Sequence, residues 1–100
     1  MQKEKILNLL RKNRKIIRQF GVKRIGIFGS VARDEASEKS DIDIVVEFER
    51  GRATFRNVAR LIDFLENLFG KEIDLLTPDG IESIRIKHIK EQIKKEIEYV

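Results

Sequence analysis

Two aspartates stand two residues apart, Asp41 and Asp43, inside the alternating run Asp-Ile-Asp-Ile-Val-Val-Glu-Phe at 41–48. On a strand this spacing turns both carboxylates to one face and sends Ile42 and Ile44 to the other, into the core. Carboxylates held this close repel each other at neutral pH. A divalent cation between them relieves the repulsion, and hard oxygen ligands suit Mg²⁺. Because Mg²⁺ keeps water and takes substrate phosphates as further ligands, such a pair points to nucleotide chemistry. Upstream, Gly29-Ser30 ends a second short apolar run. Glycine lets the backbone approach closely, and the following amides with the Ser30 hydroxyl can cradle phosphate oxygens at a helix start. A third carboxylate, Asp74, lies between Ile73 and Leu75. If its strand neighbours the first, Asp41, Asp43 and Asp74 form the carboxylate triad of a two-metal phosphoryl or nucleotidyl transfer. Aspartates at strand ends are also common as plainly solvated groups, so these residues by themselves leave both readings open.

The elements that must position these groups follow from periodicity. Residues 2–19 predict an amphipathic helix through Ile6, Leu9, Leu10, Ile16, Ile17 and Phe20, closed by Gly21. Lys23 to Phe28 predict a strand, residues 31–39 a helical turn and polar loop, and Asp41 to Phe48 the clearest strand. Glu49 to Arg52 read as a turn. Phe55, Val58, Ile62, Leu65 and Phe69 predict a helix over 55–69 that ends at Gly70. Glu72 to Leu76 predict a third strand, Thr77-Pro78-Asp79-Gly80 a turn, and Ile81 to Val100 one closing helix. Its row Ile86, Ile89, Ile93 and Ile97 is expected on the sheet; any exposed part would be an apolar patch for a partner. The order α-β-α-β-α-β-α predicts one α/β domain over 1–100.

Composition narrows the function classes. The 100 residues hold no cysteine and one histidine, which excludes disulfides, thiolate zinc sites, cysteine nucleophiles and multi-histidine metal centres. His88 on the charged closing helix reads as solvated, and Tyr99 as a packing residue. No apolar run approaches the ~20 residues of a membrane span and the charged start lacks a signal-peptide core, so the chain reads as a soluble cytoplasmic protein. Hydrophobic residues at 41% suffice for one modest core. Residues 1–19 carry seven basic groups and one acid, whereas 20–81 carry nine basic and twelve acidic groups. With no aromatic residues interleaved for base stacking, the basic opening reads as a solvated helix face, and direct nucleic-acid binding is not expected.

The pattern Gly-Ser-x-Ala-Arg at 29–33, a short polar segment, then Ser-Asp-x-Asp at 40–43 after a strand resembles the signature of the DNA polymerase β-type nucleotidyltransferase superfamily. The compact length and the strand Ile-Asp-Leu-Leu-Thr at 73–77 resemble its minimal branch. The resemblance implies a small mixed β-sheet flanked by helices, an α/β (α+β) fold. It implies that Asp41 and Asp43 bind metal, and that Asp74 helps bind metal and promotes deprotonation of the acceptor hydroxyl. Gly29 and Ser30 match the nucleotide-phosphate turn. Arg33 matches the motif arginine, as a phosphate contact or as a structural partner of a carboxylate. Mg²⁺ in a two-metal site and ATP as substrate follow from the same resemblance. One residue departs from the pattern: Asp34 stands where the family usually has glycine. The minimal branch is similar to antitoxins paired with HEPN-domain ribonuclease toxins, which transfer AMP from ATP to a toxin tyrosine. That activity is the leading expectation. Another acceptor, or a non-catalytic antitoxin that inhibits by contact, is the alternative.

Overall fold

The computed structural model describes residues 1–100. In chain order the elements are α1 (Lys3–Lys12), α2 (Arg14–Gln19), β1 (Val22–Ile27), α3 (Gly29–Ala32), β2 (Ile42–Phe48), α4 (Phe55–Phe69), β3 (Ile73–Leu76), α5 (Pro78–Glu82), α6 (Lys87–Glu96) and β4 (Glu98–Tyr99). The strands form one mixed sheet in the order β3-β2-β1-β4. β1 runs antiparallel to both β2 and β4, and β2 runs parallel to β3. That parallel pair needs a long crossover, which α4 supplies.

Strand alternation gives the sheet two apolar faces. Ile25, Ile27, Ile42, Ile44, Val46 and Ile73 meet Ile6, Leu7, Leu10, Ile17, Leu61, Leu65 and Phe69 from α1, α2 and α4 in the larger core. On the other face Phe28 and Val45 meet Ile81, with Leu76, Ile84, Ile93, Ile97 and Tyr99 packed around them. Asp43 lies two residues before Val45 and Asp74 two before Leu76, so both share this second, thinner face. Full burial of a Leu or Ile side chain contributes about 1.5–3 kcal/mol, so the larger core dominates stability and the thinner face can carry polar groups.

Several expectations are corrected. The opening helix is interrupted at Asn13, which caps α1, and Leu7 rather than Ile16 is buried. Thr77-Pro78-Asp79-Gly80 is the start of α5: the Thr77 hydroxyl accepts from the Gly80 amide and Pro78 takes the first helical position, where its missing N–H costs nothing. The closing segment is not one helix but α5, α6 and β4. Its isoleucine row is split, with Ile93 and Ile97 against the sheet and Ile86 and Ile89 exposed at 53% and 39%. In α4, Leu61, Leu65 and Phe69 carry the burial while Phe55 is 91% exposed. Leu65 and Phe69 of the expected stripe are buried, whereas Phe55 stands in solvent and Val58 and Ile62 are half-buried.

Candidate active site

The site grows out of three strand ends at one pole of the sheet. The Phe28 amide donates to the Asp43 carbonyl at 3.0 Å, joining the end of β1 to the start of β2. The Ile42 amide donates to the Glu72 carbonyl at 3.0 Å, joining β2 to the entry of β3. The parallel register then sets Asp43 directly beside Asp74. Directly after β1 the chain turns through Gly29 at φ 69° into the one-turn helix α3. A Cβ at Gly29 would run into the Asp43 carboxylate, so only glycine lets the turn pass this close to the aspartate.

The electrostatics of Asp43 reflect this crowding. Partial burial disfavours its charge first, followed by the negative charges of Asp74 and Asp41 and a hydrogen bond shared with the Asp74 side chain. Arg33 pulls the other way, and the balance raises Asp43 from 3.8 to about 6. Crowding by like charge thus favours a proton on Asp43.

Asp43 and Asp74 are therefore brought together as predicted. Asp41 is exposed and sits one residue before β2, outside the ladder, and no three carboxylates converge into a ready-made metal cage. The triad is a facing pair with a third carboxylate at its rim. The pair still fits Mg²⁺ by its donor chemistry: hard oxygens, like charge that Arg33 only partly offsets, and one or two carboxylates in a site completed by water and phosphate. Asp41 and Asp74 are exposed and Asp43 is half-buried, so the site opens to solvent.

Arg33 has carboxylate partners. Its Nε donates to Glu35 at 3.1 Å and its Nη1 to Glu96 of α6 at 2.8 Å. Glu96 also accepts from Gln92 at 3.0 Å, and its side chain is only 12% exposed. Burial pushes the Glu96 carboxyl up, but hydrogen bonds from Gln92 and Arg33, the Arg33 charge and the Gly29 amide outweigh it and hold the group below the usual range. Glu96 thus ties α6 to the Gly29 turn. Periodicity could not find it, because Glu96 reads as one more charge on a polar helix.

Asp34 also finds its reason. The Glu35 amide donates to Ser30 O at 2.8 Å and the Asp34 amide to Val31 O at 3.0 Å, the pair of bonds that closes a helix through a left-handed residue. Asp34 is that residue, at φ 59°. Aspartate is among the few non-glycine residues that visit this region, so the turn keeps its shape without the usual glycine. Ser40 closes the neighbouring turn, its hydroxyl accepting from the Ser37 amide at 3.1 Å.

Residues 10–100 match the nucleotidyltransferase domain family. The chain belongs to that family. The nucleotidyltransferase is 41% identical over 97 residues to a Methanocaldococcus jannaschii protein named provisionally as a protein adenylyltransferase, covering 95% of this chain and 94% of that one. It is 37% identical over 98 residues to the protein adenylyltransferase MntA of Thermococcus cleftensis, covering 97% and 94%. A solved structure named provisionally as a minimal nucleotidyltransferase superposes with TM-score 0.76 at 34% identity, over 98% of this chain and 95% of that one. A crystal structure of a toxin–antitoxin with AMP-PNP shares the fold at TM-score 0.61 and 22% identity, over 99% and 72%. Family and fold agree with the expectation from the Gly-Ser and Asp-x-Asp motifs, and the enzyme is a nucleotidyltransferase. No helix is long and apolar enough to cross a membrane.

Proposed function

We propose that this nucleotidyltransferase is a protein adenylyltransferase antitoxin, which transfers AMP from ATP to a tyrosine of a partner HEPN toxin in the cytoplasm, with residues 1–100 acting as one minimal domain. The observation that carries the reading is the facing pair Asp43–Asp74 beside the Gly29 turn. The adenylyltransferase names of relatives at 37–41% identity support the choice of nucleotide and of a protein acceptor. The open surface around the aspartates supports an acceptor too large to be enclosed by this chain alone.

In the reaction, the acceptor hydroxyl oxygen bonds to the α-phosphorus of ATP as the bond to the pyrophosphate oxygen breaks. The acceptor proton passes toward Asp74, the more exposed member of the pair, and pyrophosphate leaves. Gly29 and Ser30 hold the departing phosphates with backbone amides and the Ser30 hydroxyl. Asp41, Asp43 and Asp74 would hold Mg²⁺, which when bound offsets the charge developing on the phosphates. Arg33 keeps the turn in place through Glu96, and its charge lies near enough to Asp43 to act on the same anionic centre.

The test is incubation with Mg²⁺, a candidate toxin and ATP labelled at either the α- or the γ-phosphate. Adenylyl transfer labels the toxin from the α-position only. Labelling from the γ-position would mean phosphoryl transfer, and a toxin neutralised without any label would mean inhibition by contact.

A further inference from the structure

One face of α4 has no partner within the chain. Phe55 is 91% exposed, well beyond the next large apolar residue, Ile86 at 53%. Together with Val58, Ala59 and Ile62 it lines a shallow groove bordered by Asp63 and Glu66. These positions recur at three- and four-residue intervals, so they form one continuous stripe beside the buried row Leu61, Leu65 and Phe69. An exposed phenylalanine at the head of such a stripe marks an interaction surface more readily than a scattered surface residue.

The charges beside the stripe say what it fits. Arg56 precedes Asp63 by seven residues, two helical turns along the same edge, and both are exposed. Neither enters any of the chain's ion pairs. A positive end and a negative end on one edge make the stripe complementary to itself when a second copy lies antiparallel. A two-fold axis preserves the edge and reverses its direction, so each arginine meets an aspartate. The same operation places the small Ala59 at the crossing and each Phe55 opposite Ile62 of the other copy.

We propose that the α4 face joins two copies of this chain in an antiparallel pair, with Ala59 at the crossing, Phe55 over Ile62, and Arg56 bonded to Asp63 across the axis. Phe55 follows the loop that leaves the far end of β2, whereas Asp43 and Asp74 stand at the starts of their strands, so the pairing leaves the carboxylates open. α4 is about 22 Å long, too short to bury the ~1,000 Å² of a tight interface by itself. The dimer is therefore weak and forms with rising concentration. This inference stands on α4 alone and does not depend on the activity proposed above.

Sedimentation velocity over a concentration series tests it, with circular dichroism to check folding. The wild type is expected to move from monomer to dimer, and Ile62→Glu or Phe55→Glu to raise the dissociation constant at least ~10-fold. Arg56→Asp and Asp63→Arg are each expected to be monomeric, because each makes its edge a single sign. Mixing these two variants, or combining them in one chain, is expected to restore the dimer. A wild type that stays monomeric at about millimolar concentration would overturn the proposal, as would a dimer indifferent to Phe55 and Ile62. Failure of the mixed charge variants to associate would overturn the antiparallel register. If a partner protein shields α4 while the chain alone remains monomeric, the face belongs to that partner instead.

Discussion

Replacing Asp43 by asparagine should make the metal-free protein more stable, even though the side chain sits at the centre of the proposed chemistry. Folding raises the Asp43 pKa from 3.8 to about 6, through partial burial and the neighbouring charges of Asp74 and Asp41. The folded state therefore holds this proton more tightly than the unfolded chain does. Below about pH 4 both states are protonated and no penalty exists. Between the two values the unfolded chain ionises first, and stability falls as pH rises; above about pH 6 the full penalty is in place. At about 1.4 kcal/mol per tenfold change in proton affinity, the ceiling is about 3 kcal/mol. The side chain is only half-buried and solvent screens part of this, which leaves about 1–2 kcal/mol. For a domain of this size that is a rise in Tm of about 5–10 °C. Thermal unfolding with a chelator present, at about pH 4.5 and about pH 7.5, reads it directly. Asp43→Asn should exceed wild type clearly at the higher pH and by less at the lower, while Asp41→Asn, at the exposed rim, should change little. Added Mg²⁺ should raise the wild-type Tm and leave Asp43→Asn nearly unmoved. An Asp43→Asn protein no more stable than wild type at neutral pH would refute the like-charge contact from which the metal assignment is argued.

Other outcomes follow from the same geometry. Ser30→Ala should weaken nucleotide use by about 1–3 kcal/mol in kcat/KM if its hydroxyl bonds a charged phosphate oxygen, with Tm unchanged. Asp34→Gly should raise stability by about 0.5–1 kcal/mol in urea unfolding, since glycine relieves a left-handed backbone and returns part of the gain as unfolded-state entropy. Glu96→Ala should release Arg33 and loosen the Gly29 turn, raising the KM for ATP more than it lowers kcat; unchanged kinetics would make the Arg33–Glu96 pair purely structural.

The sequence carried the centre of the fold well because the signals there are local. The inward row Ile42, Ile44 and Val46 of β2 and the bounds of α4, closed by Gly70, were legible from local pattern. The closing segment failed because its decisive contacts are distant. Isoleucines spaced three and four apart from Ile86 to Ile97 continue a helix on paper, yet the chain leaves α6 at Glu96 so that Tyr99 can pair with Gly26 of β1. Gly26 was the available signal: a side chain there would strike the backbone of Glu98 and Tyr99, and a lone glycine inside a strand marks such an approach. The exposure of Phe55 escapes periodicity for a related reason. Helical periodicity gives the spacing of an apolar stripe but cannot say which of two adjacent stripes meets the sheet. At the site, the types and spacing of Asp41, Asp43, Asp74, Gly29 and Ser30 were all visible. The separation of Asp41 from the Asp43–Asp74 pair was not, because it depends on where β2 begins and on the parallel register with β3.

The central claim is that Asp43 and Asp74 serve AMP transfer rather than contact with a partner, and Asp74→Asn tests it most directly. Transfer of the α-labelled nucleotide to the toxin, neutralisation of the toxin and binding to it should be measured side by side with wild type. The account predicts that Asp74→Asn keeps toxin binding and much of the Mg·ATP affinity but loses both transfer and neutralisation. A transfer-dead Asp74→Asn protein that still neutralises the toxin at wild-type strength would contradict it.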